Sequence, residues 1–314
     1  GAKLASGDFD ADGYADLAVG VPGEDVGRVT NAGRVVMLHG SAAGVTSVGA
    51  QLWGENSAGV AGEPLSHAQF GHLLAAGDVN GDGHDDLAIG VRRPIEGGVH
   101  LLLGSTSRLT ASGSQYFPFA GTGFRYLESL WLGDVNADGH DDLALGGGDQ
   151  VAVLHGHADG FHPGPLTAPG QPGADTLWSG YAGPAVSGDL TGDGFADLAM
   201  VSSATASSIT VSVAVGTANG LGSDLAAWSI DAVQVSAALS ILPFSGGTHG
   251  WLAVGLNASS VGGVPYAGTV TVLQGNPDGT AGPATVWSQD SPGIKGTAER
   301  PDMFGFAVGG PDRL

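Results

Sequence analysis

Nine residues recur four times along this chain with one spacing of oxygen-bearing side chains. The copies are Asp8-Phe-Asp-Ala-Asp-Gly-Tyr-Ala-Asp16, Asp78-Val-Asn-Gly-Asp-Gly-His-Asp-Asp86, Asp134-Val-Asn-Ala-Asp-Gly-His-Asp-Asp142 and Asp189-Leu-Thr-Gly-Asp-Gly-Phe-Ala-Asp197. Positions 1, 3, 5 and 9 carry oxygens and position 6 is Gly in every copy. Alternate residues of a tight loop turn their oxygens to one centre and the Gly permits the bend, which is what a hard divalent cation needs. An EF-hand would add a bidentate Glu at position 12 and flanking helices. Here position 12 is Val19, Ile89, Leu145 or Met200, inside a strand-like run. The pattern predicts a calcium loop between two β-strands, repeated.

Four Ca²⁺ ions are expected. Their side-chain ligands would be Asp8, Asp10, Asp12 and Asp16; Asp78, Asn80, Asp82 and Asp86; Asp134, Asn136, Asp138 and Asp142; and Asp189, Thr191, Asp193 and Asp197. The backbone carbonyl at position 7 (Tyr14, His84, His140, Phe195) completes each set, so the histidine rings carry no implied role. Asp10 makes the first loop the most charged. Thr191 makes the fourth the weakest, since a neutral hydroxyl stands where the others have a carboxylate or amide.

Each loop follows a short apolar strand and precedes Asp-Leu-Ala, as in Asp16–Gly20 and Asp86–Gly90. A third strand follows (Gly33–Gly40, Gly98–Gly104, Gln150–Gly156, Ile209–Gly216), then a fourth with an aromatic: Trp53, Phe117, Trp178 and Trp228. Four antiparallel strands repeated at this period, rich in turns (57 Gly) and without helical periodicity, predict an all-β fold, a β-propeller. The blades are expected over 1–57, 70–119, 124–180, 184–230 and 234–289, with part of a sixth over 303–314. The fifth is degraded: Pro243, Ser245, Gly247 and Trp251 stand at its ligand positions and hold no cation. Phe244 and Trp251 are expected to pack that turn, and the recurring aromatics to pack between blades.

The net charge of −21 argues against nucleic acid and anionic membranes as partners. No apolar run reaches the roughly 18 residues of a membrane span. Without Cys there is no disulfide and no thiolate chemistry. Calcium loops of extracellular modules bind at about 10⁻⁴–10⁻³ M, which points to an extracellular location. Abundant Ala and Gly with only two Lys hint at a bacterial source.

Phe70-Gly71…Gly77-Asp78-Val-Asn-Gly-Asp-Gly…Asp86-Leu-Ala-Ile-Gly90 resembles the FG-GAP repeat of integrin α-subunit propellers and related bacterial proteins. The resemblance covers essentially the whole chain. It implies closure as seven blades, hence a piece of a larger propeller, and ligands that approach the face opposite the calcium loops. That face would use the loops between second and third strands and the links between blades, where Arg28, Arg92, Arg93, Lys295 and Arg300, half of the ten basic residues, fall. Arg28, Arg92, Arg93 and Arg300 are the candidate ligand contacts. No nucleophile elbow, His-Glu-x-x-His or phosphate loop is present, and His155, His157 and His162 match no established zinc spacing. The function expected is a non-catalytic recognition module, lectin- or adhesin-like, for a glycan or extracellular protein. The alternatives are a targeting or scaffold part of a secreted toxin or hydrolase assembly and, with less support, a polysaccharide-cleaving propeller.

Overall fold

The computed structural model describes residues 3–92, 97–119, 127–148, 150–162, 176–179, 184–204, 208–222, 225–231, 237–242 and 249–308. Among them there is no helix; twenty strands form five four-stranded antiparallel sheets, each built from strands consecutive in the chain. The first is β1 (Leu4–Gly7), β2 (Asp16–Val21), β3 (Arg34–His39) and β4 (Thr46–Trp53); the second is β5 (Leu73–Gly77), β6 (Asp86–Val91), β7 (Gly98–Leu103) and β8 (Thr110–Pro118). The third is β9 (Ser129–Gly133), β10 (Asp142–Gly147), β11 (Gln150–Leu154) and β12 (Thr176–Ser179). The fourth is β13 (Ala185–Gly188), β14 (Asp197–Ala204), β15 (Ser208–Ala214) and β16 (Leu225–Asp231); the fifth is β17 (Ala237–Leu242), β18 (Trp251–Leu256), β19 (Thr269–Gly275) and β20 (Ala281–Trp287). These are β-propeller blades. Phe304-Gly305, where the sequence predicts a sixth blade to begin, lies in a turn.

The chain divides into two compact units, 1–133 with 139–148 and 152–165, and 134–138 with 149–151 and 166–314. The first holds two complete blades and most of the third; the second holds the fourth and fifth. Burial follows strand position. β6 is buried along its whole length, and β7 at every residue but Leu103, so both faces meet neighbouring sheets and, Asp86 and His100 apart, the sequence is apolar. The outer β4 is largely exposed and β8 largely half-buried, and both carry Ser, Gly and Gln instead.

In the first unit the core between blades gathers Phe9, Val35, Met37, Phe70, Leu87, Ile89 and Leu102, with Trp53 against it. Phe70 is fully buried, and its N–H donates to the Ala32 carbonyl (2.8 Å), which seats the Phe-Gly pair of the second blade on the first. That approach requires Gly33 (φ 87°), because a Cβ there would lie 2.3 Å from the Phe70 nitrogen. The same seat recurs in the second unit, where the Phe304 N–H donates to the Ala267 carbonyl (2.9 Å) beside Gly268. Phe117 packs edge-on against Phe161 (5.6 Å), and buried Trp228 donates from Nε1 to the Gly279 carbonyl (2.9 Å). These aromatics are packing residues. Trp287, by contrast, is 39% exposed, and the side chain of Trp178 lies outside the described residues.

Candidate metal centres

The β-ladder fixes where each acidic loop begins and ends. In the registers Gly7↔Asp16, Gly77↔Asp86, Gly133↔Asp142 and Gly188↔Asp197, position 9 opens the second strand opposite the Gly that closes the first. The position-9 side chain turns inward, and its Oδ1 accepts a hydrogen bond from the amide that follows the third strand: Gly40 (2.7 Å), Gly104 (2.8 Å), Gly156 (2.9 Å) and Gly216 (2.9 Å). The four carboxylates are buried.

Position 1 holds the loop itself. Asp8 accepts from the Asp12 amide through Oδ1 (3.0 Å) and the Gly13 amide through Oδ2 (2.9 Å). Asp78 does the same for Asp82 (3.1 Å) and Gly83 (2.9 Å), and Asp189 for Asp193 (3.2 Å) and Gly194 (3.0 Å). The position-5 carboxylates Asp12, Asp82 and Asp193 accept from the amides of Tyr14, His84 and Phe195, which orients the position-7 peptide. Position 6 is left-handed as the motif requires (Gly13, φ 87°). Position 4 is left-handed too, occupied by Gly81 and Gly192 but by Ala11 and Ala137 in the first and third loops, each at φ 54°.

The third loop is divided between the two units. Within 134–138, Asp134 and Asn136 both accept from the Asp138 amide (3.2 and 2.9 Å), and Asn136 Nδ2 donates to Asp138 Oδ2 (3.0 Å). Within 139–148 and 152–165, Asp142 lies 3.1 Å from His155 Nδ1. His155 is thereby separated in role from the exposed pair His157 and His162, whose rings sit 5.4 Å apart with His162 Nε2 2.5 Å from Asp159 Oδ1.

The side chains converge most closely in the first loop. Ligand atoms of Asp8, Asp10 and Asp12 lie within 4.8 Å of one another, as do those of Asp10, Asp16 and His39. Asp10 Oδ1 in the first loop and Thr191 Oγ1 in the fourth are buried without a hydrogen-bond partner, whereas the Phe9 amide bears on the Asp16 carboxylate as the Val79 amide does on Asp86. A buried oxygen left unpaired costs about 1–3 kcal/mol, a cost that a cation or a water at these atoms would relieve. The carboxyls respond accordingly. Burial pushes Asp86 up to about 8 and Asp197 to about 6, against the pull of the Gly104 and Gly216 amides, and raises Asp16 with help from the charge of Asp10.

Two kinds of contact were not visible in the motif. Arg108, from the turn between β7 and β8, places Nε 3.7 Å from Asp10 Oδ2 while Nη1 donates to the Gly49 carbonyl (2.9 Å), so the most charged loop has a counter-ion. Asp85 and Asp141, at position 8, reach the preceding blade: the amides of Asp8 and Asp78 donate to their Oδ2 atoms, both at 2.8 Å. The only sequence signal was the doubled Asp that closes the second and third loops but not the others.

The candidate ligand arginines are placed on loops. Arg28 is exposed between β2 and β3, and Arg92 is exposed just after β6. Arg93 lies outside the described residues. Arg300, in the second unit, sits over the Tyr266 ring (5.4 Å) beside a cis bond to Pro301. Of the fifth loop, Pro243, Phe244, Ser245 and Gly247 lie outside the described residues; half-buried Trp251 opens β18 opposite Leu242, where the other blades have Asp opposite Gly.

The model of the FG-GAP repeat matches residues 1–37 and 70–102, and that of an FG-GAP-like repeat matches 134–200. These segments are FG-GAP and FG-GAP-like repeats. Relatives of the chain include phosphatidylinositol-glycan-specific phospholipase D of Bos taurus, 31% identical over 49% of this chain and 20% of that protein. They also include integrin alpha-PS2 of Drosophila melanogaster (30% identical, 54% and 12%) and integrin alpha-8 of Mus musculus (30% identical, 58% and 17%). The chain spans a fifth or less of these relatives' length. An exotype rhamnogalacturonan lyase superposes over 91% of the chain and 54% of its own at a TM-score of 0.44 and 12% identity.

Proposed function

We propose that this chain is a calcium-stabilised, non-catalytic recognition module of the extracellular space, binding a glycan or a protein through loops away from the calcium loops. Support for calcium rests above all on the converging carboxylates of Asp8, Asp10 and Asp12, with the buried Asp10 Oδ1 left without a hydrogen-bond partner. All-oxygen donor sets suit a hard cation such as Ca²⁺. When bound, the ion supplies the positive charge that the buried position-9 carboxylates lack. The chain's own residues orient the loop: position 1 gathers the amides of positions 5 and 6, and position 9 anchors the loop to the third strand. Asp8, Asp10, Asp12, Asp16 and the Tyr14 carbonyl form the first site. The corresponding residues of the other three loops form the rest, including the carbonyls of His84, His140 and Phe195.

Recognition is supported by the likeness to integrin α-chains and by scarce positive charge on exposed loops, Arg28 and Arg92 in the first unit and Arg300 with Tyr266 in the second. Loops on a rigid scaffold are where binding residues concentrate. Arg93 belongs to the same proposed contact set. The match to a fraction of a phospholipase D favours a second reading, a non-catalytic targeting or scaffold part of a larger secreted protein. Metal analysis after dialysis, with melting in calcium and in chelator, tests the first half. Fewer than three calcium ions per chain, or a chelator-insensitive melt, refutes it. A glycan array tests the second half: binding lost in Arg92→Ala/Arg93→Ala at unchanged melting temperature is the expected result, and binding unaffected by that pair moves the site elsewhere.

A further inference from the structure

The acidic loops of neighbouring blades in the first unit are joined directly. The Asp8 amide donates to Asp85 Oδ2 (2.8 Å), and the Asp85 amide donates back to the Asp8 carbonyl (3.1 Å). The Asp78 amide donates to Asp141 Oδ2 (2.8 Å), and the Asp141 amide to the Asp78 carbonyl (2.8 Å). The chain makes room for both brackets. Residues 7 and 77 are Gly, and a Cβ there would lie 2.7 Å from Asp85 Oδ2 and 2.3 Å from Asp141 Oδ2. In the second unit only the backbone half survives, the Ala196 amide donating to the Asp134 carbonyl (2.9 Å).

We propose that Asp85 and Asp141 are positioning residues that lock the acidic loop of one blade to the next, and that through Asp85 occupancy of the second loop raises the calcium affinity of the first. The inference rests on the calcium reading above. Asp85 stands between His84, whose carbonyl is a proposed ligand, and Asp86, the buried position-9 carboxylate. A cation in the second loop fixes both neighbours and therefore the carboxylate between them. That carboxylate holds the backbone of Asp8, whose own two oxygens gather the Asp12 and Gly13 amides. The first loop is then ordered before its ion arrives and loses less freedom on binding. Linkage makes the coupling reciprocal: calcium in the first loop raises the affinity of the second by the same factor.

The test is a calcium titration followed by the ¹H–¹⁵N signals of Gly13 and Gly83, one amide in each loop. Wild type is compared with Asp85→Ala, Asp85→Asn, Asp82→Ala (which empties the second loop and leaves Asp85 in place) and the double variant Asp82→Ala/Asp85→Ala. Asp85→Ala is expected to raise the Gly13 midpoint about tenfold, the equivalent of about 1.4 kcal/mol. Asp85→Asn, which keeps the acceptor and drops the charge, recovers most of it. Asp82→Ala alone weakens the Gly13 response, and adds nothing once Asp85 is Ala. An unchanged Gly13 midpoint in Asp85→Ala overturns the positioning role, and additive effects in the double variant overturn the coupling. Asn behaving like Ala shows the charge alone to act and overturns the bracket. A wild-type protein whose Gly13 and Gly83 signals ignore calcium overturns the calcium reading itself. If Asp85→Ala does not fold, Asp85→Asn and Asp82→Ala still decide: the bracket stands only if Asn keeps near-wild-type affinity while Asp82→Ala loses it.

Discussion

Asn in place of Asp86 keeps the shape of the side chain and removes its capacity for charge. Asp86 is fully buried, with Oδ1 accepting from the Gly104 amide (2.8 Å) and Oδ2 from the Val79 amide (3.1 Å). Without a cation, burial pushes this carboxyl up to about 8, so near neutral pH it holds its proton most of the time. Asn then resembles what it replaces. The expected cost in chelator is the mispairing of one buried amide, about 1–3 kcal/mol. In calcium the variant also loses a ligand, and a site held at 100 times its dissociation constant contributes about 2.7 kcal/mol. The informative quantity is the difference between the two costs. For a unit of this size it corresponds to about 5–10 °C of melting temperature. Thermal melts of wild type and Asp86→Asn in calcium and in chelator give all four values. Equal costs in the two buffers would falsify the view that Asp86 serves a cation.

Arg108→Ala frees Asp10 from its counter-ion, and calcium titration of the Gly13 signal should show the first loop binding about two- to fivefold tighter, in line with the roughly 0.5–1 kcal/mol of a half-exposed ion pair; unchanged affinity would show that Arg108 serves only the Gly49 carbonyl. Because burial raises the carboxyls of Asp86 and Asp197 above their ordinary value of 3.8, the metal-free protein is stabilised by their protonated forms; that stabilisation is complete below 3.8 and is lost as pH climbs through about 6 and about 8. Urea denaturation in chelator should therefore show falling stability across that window, and saturating calcium should flatten the slope; a metal-free protein that gains stability there contradicts the assignment. Phe70→Ala should cost about 3–5 kcal/mol in urea denaturation, since it empties the core between the first two blades; a loss under 1 kcal/mol would mean the Phe-Gly seat is held by its backbone alone.

The strands and loops were legible because their determinants are local. Period-2 apolar runs, a Gly at each sharp bend and oxygens at alternate positions are properties of consecutive residues, and so are the registers that place Asp16, Asp86, Asp142 and Asp197 at the start of a strand. What sequence did not show lies between repeats. Asp85 looks like a spare carboxylate until the preceding blade places the Asp8 amide against it, and Arg108 looks like an ordinary turn residue until Asp10 is beside it. The left-handed position 4 was hidden for another reason. Ala11 and Ala137 tolerate φ 54° only because the loop's bonds hold them there, so residue type at that position carries no signal.

The fifth blade separates what the sheet needs from what the cation would supply. β18 keeps its pairing with β17 and β19, although Trp251 stands at position 9 and Leu242 faces it. In the other blades the amide after the third strand is satisfied by a buried carboxylate; here the Gly275 amide, in the equivalent place, donates to the Gly250 carbonyl (3.0 Å). Replacing the charged acceptor by a backbone one removes the need for a countercharge, and the four-stranded sheet persists. The position-9 carboxylates are therefore not required by blade architecture. Ionising four buried carboxyls where a carbonyl suffices is costly unless something compensates the charge. The proposed calcium ions give that compensation a source, and they place it where one blade's loop, through Asp85 and Asp141, meets the next.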